Sequence, residues 1–404
     1  MGIENLSELL YACHENRLLL FKGFGKRTQD NVMESIEFYN QQQGNYLFAQ
    51  VESLGGELVG FLQKVFSNSK IELTGAFKRH AETIGILEFA ITASAKKIIS
   101  KLGRLEEFVL LEHEDDYLLY RYGGKIRVKI FVTGEKSLNE KLFYTIGSEK
   151  FSESFRKQFP NVTFRKSLGD DHIFKDLNIQ LIPYFLRENR EIITLAKKFS
   201  IPDVIQMADI KGLIHCHSNW SDGSNTLQQL AEAAIDRGLQ YLVISDHSKT
   251  AGYARGLSEE KIREQHDLID ELNEEYKPFK IFKSIESDIL NDGDLDYNNN
   301  FLSTFDLVIA SVHSNLNMSE ERATARLLRA IENPYTTILG HMTGRLLLRR
   351  KGYPVDHKTI IDACVKNNVV IEIYASPNRL DIDWRWKTQI QHRIHEAAGL
   401  KIRG

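Results

Sequence analysis

The chain has 404 residues, with 52 basic and 55 acidic side chains and a formal net charge of −3. At about 150 residues per domain this length predicts two to three domains, and the 42% hydrophobic content is ample for their cores. The charge gives no global attraction to nucleic acid, so DNA binding would need local basic patches. Three scattered cysteines fit free thiols. Without a signal-peptide pattern or an apolar run of membrane-spanning length, we expect a cytoplasmic protein with no membrane contact.

Two short helical patterns open the chain, at residues 5–16 and 29–39. The connection between them contains a Gly-x-Gly turn followed by two basic residues at a helix start. Such a turn presents free backbone N–H groups, and the helix dipole favours an anion there, which suits a DNA backbone phosphate. An ordinary glycine-rich connection is the alternative. The predicted phosphate contacts, independent of base sequence, are Gly23, Gly25, Lys26 and Arg27.

Residues 46–205 alternate helical and strand patterns without a strong internal repeat. The following stretch has little periodicity and comes before a change to a strand-helix rhythm, so we predict a linker at 206–211.

The C-terminal half repeats one pattern, in which an apolar run of strand length ends in a residue type that binds metals. These runs are 241–245 before Asp246 and His247, 280–285 before Glu286, 307–312 before His313, and 337–340 before His341. Helical patterns lie between them, at 226–237, 258–275, 319–331 and 357–367. Repeated strand-helix units imply a parallel sheet or barrel, whose functional groups gather at the carboxyl ends of the strands.

The pattern begins with His215-Cys216-His217 after an apolar run. In an extended strand the two imidazoles point to one face, and Cys216 to the other. A buried histidine pair is costly to desolvate, and a divalent metal makes it favourable. For this motif alone, two structural histidines are the alternative reading.

These motifs, with Asn333-Pro334-Tyr335, Thr343-Gly344-Arg345 and Ala375 to Asp381, resemble bacterial family X DNA polymerases that carry a PHP (polymerase and histidinol phosphatase) domain. The resemblance implies an α/β multidomain chain. It would have a helix-hairpin-helix at 1–45, a nucleotidyltransferase-like α+β palm and thumb at 46–205, and a distorted (β/α)7 PHP barrel at 212–404.

The resemblance also implies a site and an activity. His215 and His217 would hold one metal with Glu286, which bridges to a second held by His313 and His341, while Asp222 and His247 hold a third. The expected cofactors are divalent ions, Mn²⁺ or Zn²⁺, up to three in a complete domain. The implied activity is 3′-5′ exonuclease hydrolysis of DNA in repair, at 3′ ends and gaps, without an obligate protein partner. The catalytic residues would be His215, His217, Glu286 and His313, and further DNA contacts Lys78, Arg79, Arg345 and Arg379.

The polymerase part departs from the family pattern. Three aspartates hold two magnesium ions in the family, and the matching positions here are Ile86, Glu88 and Lys129. An ammonium repels a divalent cation, so we expect an inactive polymerase site. The alternatives are a gap-filling DNA polymerase, a small-molecule phosphatase of the histidinol-phosphatase type, and a non-catalytic DNA-binding module.

Two further acidic residues and the chain ends carry minor expectations. Asp246 is expected to orient an imidazole, and Asp288 to be a turn residue. Compared with the family, the chain looks truncated at both ends. Leu400-Lys401-Ile402-Arg403 begins the strand that carries the family's last ligand pair, so we expect fewer metals or slower catalysis.

Overall fold

The computed structural model describes residues 3, 5–165 and 169–386. It divides into two compact units, one formed by Met1–Asp203 with Leu347–Arg350 and the other by Val204–Leu346 with Lys351–Gly404. The division after Asp203 lies close to the predicted linker at 206–211. The finer boundaries, and the names given to the parts of the first unit, stay predictions.

The first unit combines short helices with a mixed sheet. Its elements are α1 Leu6–His14, α2 Lys26–Gln41, β1 Tyr46–Leu47, α3 Phe48–Val65, β2 Ile71–Thr74, α4 Gly75–Lys78, β3 Thr83–Ile84, β4 Ile86–Ile91, α5 Ala95–Leu102, β5 Phe108–His113, β6 Tyr117–Tyr122, β7 Ile126–Val132, α6 Leu138–Ile146, α7 Glu149–Gln158, α8 Asp171–Asp176 and α9 Glu191–Lys197. Five strands form a sheet in the order β2-β4-β7-β6-β5. In this sheet β4 and β7 run parallel, and the other neighbours are antiparallel.

The two opening helices form as the sequence predicts. Asn5 begins α1, because its side chain accepts a hydrogen bond from the backbone N–H of Glu8. Gly23 has a φ of 96°, a conformation that suits glycine, and α2 begins directly after Gly25. The second helix starts three residues before the predicted position, so Lys26 and Arg27 lie in its first turn.

Alternation along β4 explains the core of this sheet. Leu87, Phe89 and Ile91 are buried, and the half-buried Glu88 lies between them on the other face. In the parallel pairing of β4 with β7, Glu88 stands opposite Lys129.

The second unit confirms the predicted strand-helix rhythm. Its elements are β8 Gly212–Cys216, α10 Leu227–Asp236, β9 Tyr241–Ile244, α11 Glu259–Glu275, β10 Lys280–Asp288, α12 Asn299–Leu302, β11 Leu307–Ser311, α13 Glu320–Ile331, β12 Ile338–Leu339, α14 His357–Asn367 and β13 Val370–Ile371. Six strands form one parallel sheet in the order β13-β12-β11-β10-β9-β8. The seventh strand, predicted to begin at Leu400, lies outside the described residues.

Hydroxyl caps fix where three of these helices begin. The side chains of Thr226, Ser258 and Ser319 each accept a hydrogen bond from the backbone N–H three residues later. Alanine and leucine on α13 then pack in the core with Ile285 of β10. Each helix thus returns the chain across the sheet, so all six strands point the same way.

Within the described residues, the structure contains no helix with the length and apolarity needed to cross a bilayer.

Candidate metal centre

A buried carboxylate lies at the centre of the second unit's sheet edge. Glu286 is 1% exposed and is surrounded by five imidazoles. Its Oε1 lies near the Nε2 atoms of three histidines, at 3.0 Å for His215, 3.1 Å for His313 and 2.9 Å for His341. Its Oε2 lies 3.5 Å from Nε2 of His217 and 3.1 Å from Nδ1 of His247. Histidines from four separate strand-end segments therefore meet around one acidic group on a fifth strand.

Parallel strands deliver most of this cluster. Glu286 lies inside β10, and His247 forms a parallel bridge with it just after β9. His313 follows β11, and His341 follows β12. Because the carboxyl ends of parallel strands share one edge, residues far apart in the sequence converge there.

The first two histidines reach the cluster by a different route from the one predicted. The extended conformation predicted at His215 is wrong: its φ is 62°, in the left-handed region, and the pairing of β8 shifts register between Leu213 and Cys216. The rings of His215 and His217 nevertheless stack, with centroids 5.4 Å apart. A local irregularity, rather than alternation along a strand, brings both imidazoles to Glu286.

Asp222 extends the cluster toward solvent. Its Oδ1 lies 3.1 Å from Nδ1 of His217, and its Oδ2 lies 3.6 Å from Nε2 of His247. Three groups of donor atoms lie within 4.8 Å of one another: His215, His217 and Glu286; His217, Asp222 and His247; and His247, Glu286 and His313. His247 belongs to two of these groups, whereas the family resemblance assigned it to the third metal alone.

The donor atoms of this cluster fit a divalent metal. Several buried nitrogen and oxygen atoms have no hydrogen-bond partner among the described residues: Nε2 of His215, Nδ1 of His217, His247 and His341, and Oε1 of Glu286. Buried polar atoms without partners are costly, and a coordinated cation would use their lone pairs. Imidazole and carboxylate together suit zinc, manganese or iron.

Comparison with known proteins agrees with this geometry. Residues 214–376 match the family model of the PHP domain. Over 402 residues the chain is 28% identical to the DNA polymerase/3′-5′ exonuclease PolX of Bacillus subtilis, covering 95% of this chain and 70% of that protein. Two proteins named "Probable phosphatase", from Caldanaerobacter subterraneus subsp. tengcongensis and from a Thermoanaerobacter species, are 29% identical over 167 residues, covering 40% of this chain and 61% and 63% of their own lengths.

The chain is therefore similar over nearly its whole length to a DNA polymerase/3′-5′ exonuclease, and its residues 214–376 match the PHP domain. PHP domains are metal-dependent, and the three donor groups around Glu286 are where this one could hold ions.

Two carboxylates behind the PHP cluster were not predicted as site residues. Glu372 accepts a hydrogen bond from Nδ1 of His215 at 2.6 Å and another from the backbone N–H of His341 at 2.8 Å. Asp288, expected to be a turn residue, is instead the buried end of β10 and accepts a hydrogen bond from Nδ1 of His313. With Nδ1 holding the proton, Nε2 of each ring is left free to bind a metal.

The prediction that Asp246 orients an imidazole is wrong. This carboxylate is fully buried and accepts hydrogen bonds from the backbone N–H and the hydroxyl of Ser218, from the hydroxyl of Ser221 and from the amide of Gln265. It therefore holds the segment that carries His217 and Asp222 against the end of β9.

The two predicted arginines of the PHP domain lie in different environments. Arg345 donates to the carbonyls of Arg379 and Leu380 and pairs with Asp383, so its guanidinium holds the chain together there. Nη1 of Arg379 is buried without a hydrogen-bond partner in the described part of the chain, and the guanidinium lies 5.5 Å from the ring centre of Tyr374. Of the two guanidinium groups, that of Arg379 is the one with a buried donor left over for a ligand.

The predicted DNA contacts of the first unit lie at two places. Lys26 and Arg27 are exposed at the start of α2, and no described neighbouring atom crowds Gly23 or Gly25. Lys78 is exposed beside the ring of Tyr184. The last of these four cationic side chains, that of Arg79, pairs with Glu188 at 2.7 Å and donates to the carbonyl of Ile146, so protein groups already occupy its guanidinium.

The charge of Glu286 changes the proton affinity of its neighbours. Burial opposes ionisation of Glu286, but His215 and His313 outweigh it and hold the carboxyl pKa well below its usual value. Burial likewise disfavours the charged imidazoles. The negative charge of Glu286, with the hydrogen bonds to Glu372 or Asp288, nevertheless raises the pKa of His215 to about 10 and of His313 to about 9. Before a cation binds, the cluster therefore holds protons.

We expect metal binding to release these protons. A metal needs neutral imidazoles, and the raised pKa values mean that His215 and His313 are protonated at pH 7. The affinity for Mn²⁺ should therefore rise with pH, by up to about tenfold per pH unit for each displaced proton, and level off above the pKa values. Calorimetric titration at pH 7 and 8.5, in buffers of different ionisation enthalpy, measures the Mn²⁺ affinity and the number of protons released. An affinity independent of pH, with no proton release, contradicts this prediction.

We expect Asp246→Ala to destabilise the second unit. The change leaves four donors without their acceptor, at a cost on the order of 3 kcal/mol, and frees the segment that carries His217 and Asp222. Urea unfolding should show the loss of stability, and titration with Mn²⁺ should show weaker binding. Asp236→Ala, at an exposed position of α10, is the control. Unchanged stability in Asp246→Ala would contradict the role given to this carboxylate.

Proposed function

We propose that the PHP domain of this chain is a metal-dependent 3′-5′ exonuclease that hydrolyses phosphodiester bonds of DNA in repair. The observation that carries the proposal is the position of Glu286, whose oxygens lie within 3.5 Å of nitrogens from five histidines. Manganese or zinc is the preferred metal, with up to three ions, because the donors are imidazoles and carboxylates. A DNA substrate also implies a cytoplasmic location, which is part of the same proposal.

The residues of this cluster would have different roles in catalysis. When bound, the ions lower the pKa of a coordinated water and neutralise charge on the phosphate. The reacting centre would be held by five residues: His215, His217, Glu286, His313 and His341. A further ion on the open side would be held by Asp222 and His247. Glu372 and Asp288 would keep the rings of His215 and His313 oriented with Nε2 inward.

Arg379 is the residue that we assign to the substrate phosphate. Its buried Nη1 has no partner among the described residues, and its guanidinium lies beside Tyr374, whose ring is 5.3 Å from that of His215 and 5.5 Å from that of His341. A guanidinium in this position suits an anion that approaches the cluster. Arg345 is a structural residue on this proposal.

Two observations favour DNA over a small phosphate ester. The similarity to a protein named as a DNA polymerase and exonuclease extends over 95% of the chain, whereas the matches to proteins named as phosphatases cover 39 to 47% of it. In addition, the start of α2 offers exposed cations beside Gly23 and Gly25, which a small-molecule phosphatase does not need. The phosphatase matches make a small phosphate ester the second candidate substrate.

We further propose that the sheet of the first unit does not transfer nucleotides. Glu88 and Lys129 are opposite each other on neighbouring parallel strands, and Ile86 brings no donor atom. Desolvation of Glu88 raises its pKa, which weakens it further as a metal ligand. One carboxylate beside an ammonium is a poor site for two magnesium ions.

We expect manganese-dependent shortening of single-stranded DNA from its 3′ end. His215→Ala and Glu286→Gln should each lower the rate at least about 100-fold, because each removes a donor from the cluster. Gel electrophoresis of 5′-labelled DNA follows the shortening, and release of a 3′ label fixes the direction. His113→Ala, an exposed histidine of the first unit, is the matched control and should cleave normally.

Two results would overturn the proposed exonuclease. One is full activity in His215→Ala, which would place the reaction elsewhere. The other is hydrolysis of small phosphate monoesters with no attack on DNA, which would establish the second candidate.

We expect no nucleotide addition to a gapped duplex. The assay uses the Glu286→Gln chain, so that trimming does not hide synthesis, with magnesium or manganese and all four deoxynucleotides. The product length should stay unchanged, because the carboxylates that align two ions are missing. Primer extension that disappears in Glu88→Gln would contradict this prediction and restore the gap-filling polymerase.

A further inference from the structure

An exposed tyrosine stands at the mouth of the metal centre. Tyr253 lies in the connection between β9 and α11 and is 72% exposed. Its ring centroid lies 5.9 Å from that of His247 and 6.4 Å from that of His313. A large aromatic side chain therefore faces solvent directly beside two residues of the cluster.

The loop that carries this tyrosine, residues 248–257, is tightly held. The backbone N–H of Leu257 donates to the carbonyl of His247 at 2.9 Å, which closes the loop at its base. The backbone N–H of Thr250 donates to Asp296 at 2.7 Å, and that of Lys249 to the hydroxyl of Tyr297 at 3.0 Å. These bonds fix the loop backbone before any ligand arrives.

Close packing within the loop limits its conformations further. A Cβ at Gly256 would lie 1.9 Å from the carbonyl oxygen of Ser248, so only glycine fits there. The backbone N–H of Gly256 also donates to the carbonyl of Ala251. The loop backbone is therefore held in one conformation, in which the ring of Tyr253 lies on the solvent side of His247 and His313.

The mouth of the site has two different sides. Tyr253 borders the side of His247 and His313, and Tyr374 with Arg379 borders the side of His215 and His341. Since Arg379 is the group suited to a phosphate, Tyr253 is left for an uncharged, flat part of the substrate. In DNA that part is the base.

We propose that Tyr253 is a stacking platform for the base of the terminal nucleotide, and that it selects nucleic-acid ends over small phosphate esters. This inference rests on the proposed exonuclease function. Stacking on an aromatic ring tolerates any base, so the platform gives selectivity for nucleotides without a sequence preference.

The first test compares two substrates that differ only in the terminal base. One oligonucleotide ends in a normal 3′ deoxyadenosine, and the other ends in a tetrahydrofuran residue without a base. Tyr253→Leu should raise KM about tenfold for the first and leave KM for the second unchanged, because only the first can stack. Tyr253→Phe keeps the aromatic face and should behave as the unaltered chain on both. Phe199→Leu, at an aromatic residue that is 60% exposed, controls for loss of any surface ring.

A second measurement reports stacking directly. A DNA strand with a 3′-terminal 2-aminopurine is bound to the chains in the presence of EDTA, which withholds the metal and so prevents hydrolysis, and its fluorescence is recorded. Stacking should quench the probe with tyrosine or phenylalanine at position 253, and leucine should restore the emission. Equal emission from all three chains overturns the proposal.

The two substrates distinguish a failure of the stacking inference from a failure of the proposed exonuclease function. If Tyr253→Leu slows cleavage of both oligonucleotides equally, the residue contributes to the structure of the site and does not bind the base. The stacking inference is then wrong, and the exonuclease proposal is unaffected. If the unaltered chain cleaves neither substrate with any metal, the exonuclease proposal itself has failed.

Discussion

The structure of the second unit depends on keeping one ionised carboxylate buried. A charge as buried as that of Glu286 costs several kcal/mol unless other groups compensate it. Five imidazoles supply that compensation here, and four strand ends must carry them to one point, since His215 and His217 share the end of β8. The parallel sheet is the arrangement that does so, because all its carboxyl ends lie along one edge. The imidazoles in turn need partners of their own, which Glu372 and Asp288 provide for two of them.

Much of this could be predicted from the sequence because a parallel sheet obeys a simple rule. An apolar run followed by a ligand-type residue places that residue at the shared edge, and the rule located His247, Glu286, His313 and His341. The same rule, applied to the apolar run 369–371, would also have found Glu372, which follows it directly. Asp288 was missed for another reason: β10 continues beyond Glu286, and the second acidic residue is part of the strand.

Other features have no local signal. The left-handed conformation of His215 comes with a register shift between neighbouring strands, which depends on the pairing of β8 with β9 rather than on the sequence around the histidine. The partners of Asp246 lie 19 to 28 residues away in the chain, and nothing in the neighbourhood of Asp246 distinguishes serine hydroxyls from imidazoles as its contacts. Both errors concern tertiary contacts, which local residue patterns do not predict.

The two sheets of the chain show that stable packing of a sheet does not by itself provide a metal site. In the first unit the inward face of β4 is fully apolar and buried, so that sheet is stable whatever its other face carries. On that other face Glu88 stands opposite Lys129, whose positive charge opposes the binding of a cation there. Around Glu286 the reverse holds, since buried donors there remain without hydrogen-bond partners among the described residues. Unsatisfied donors, rather than the presence of a sheet, are what point to a metal in the second unit and not in the first.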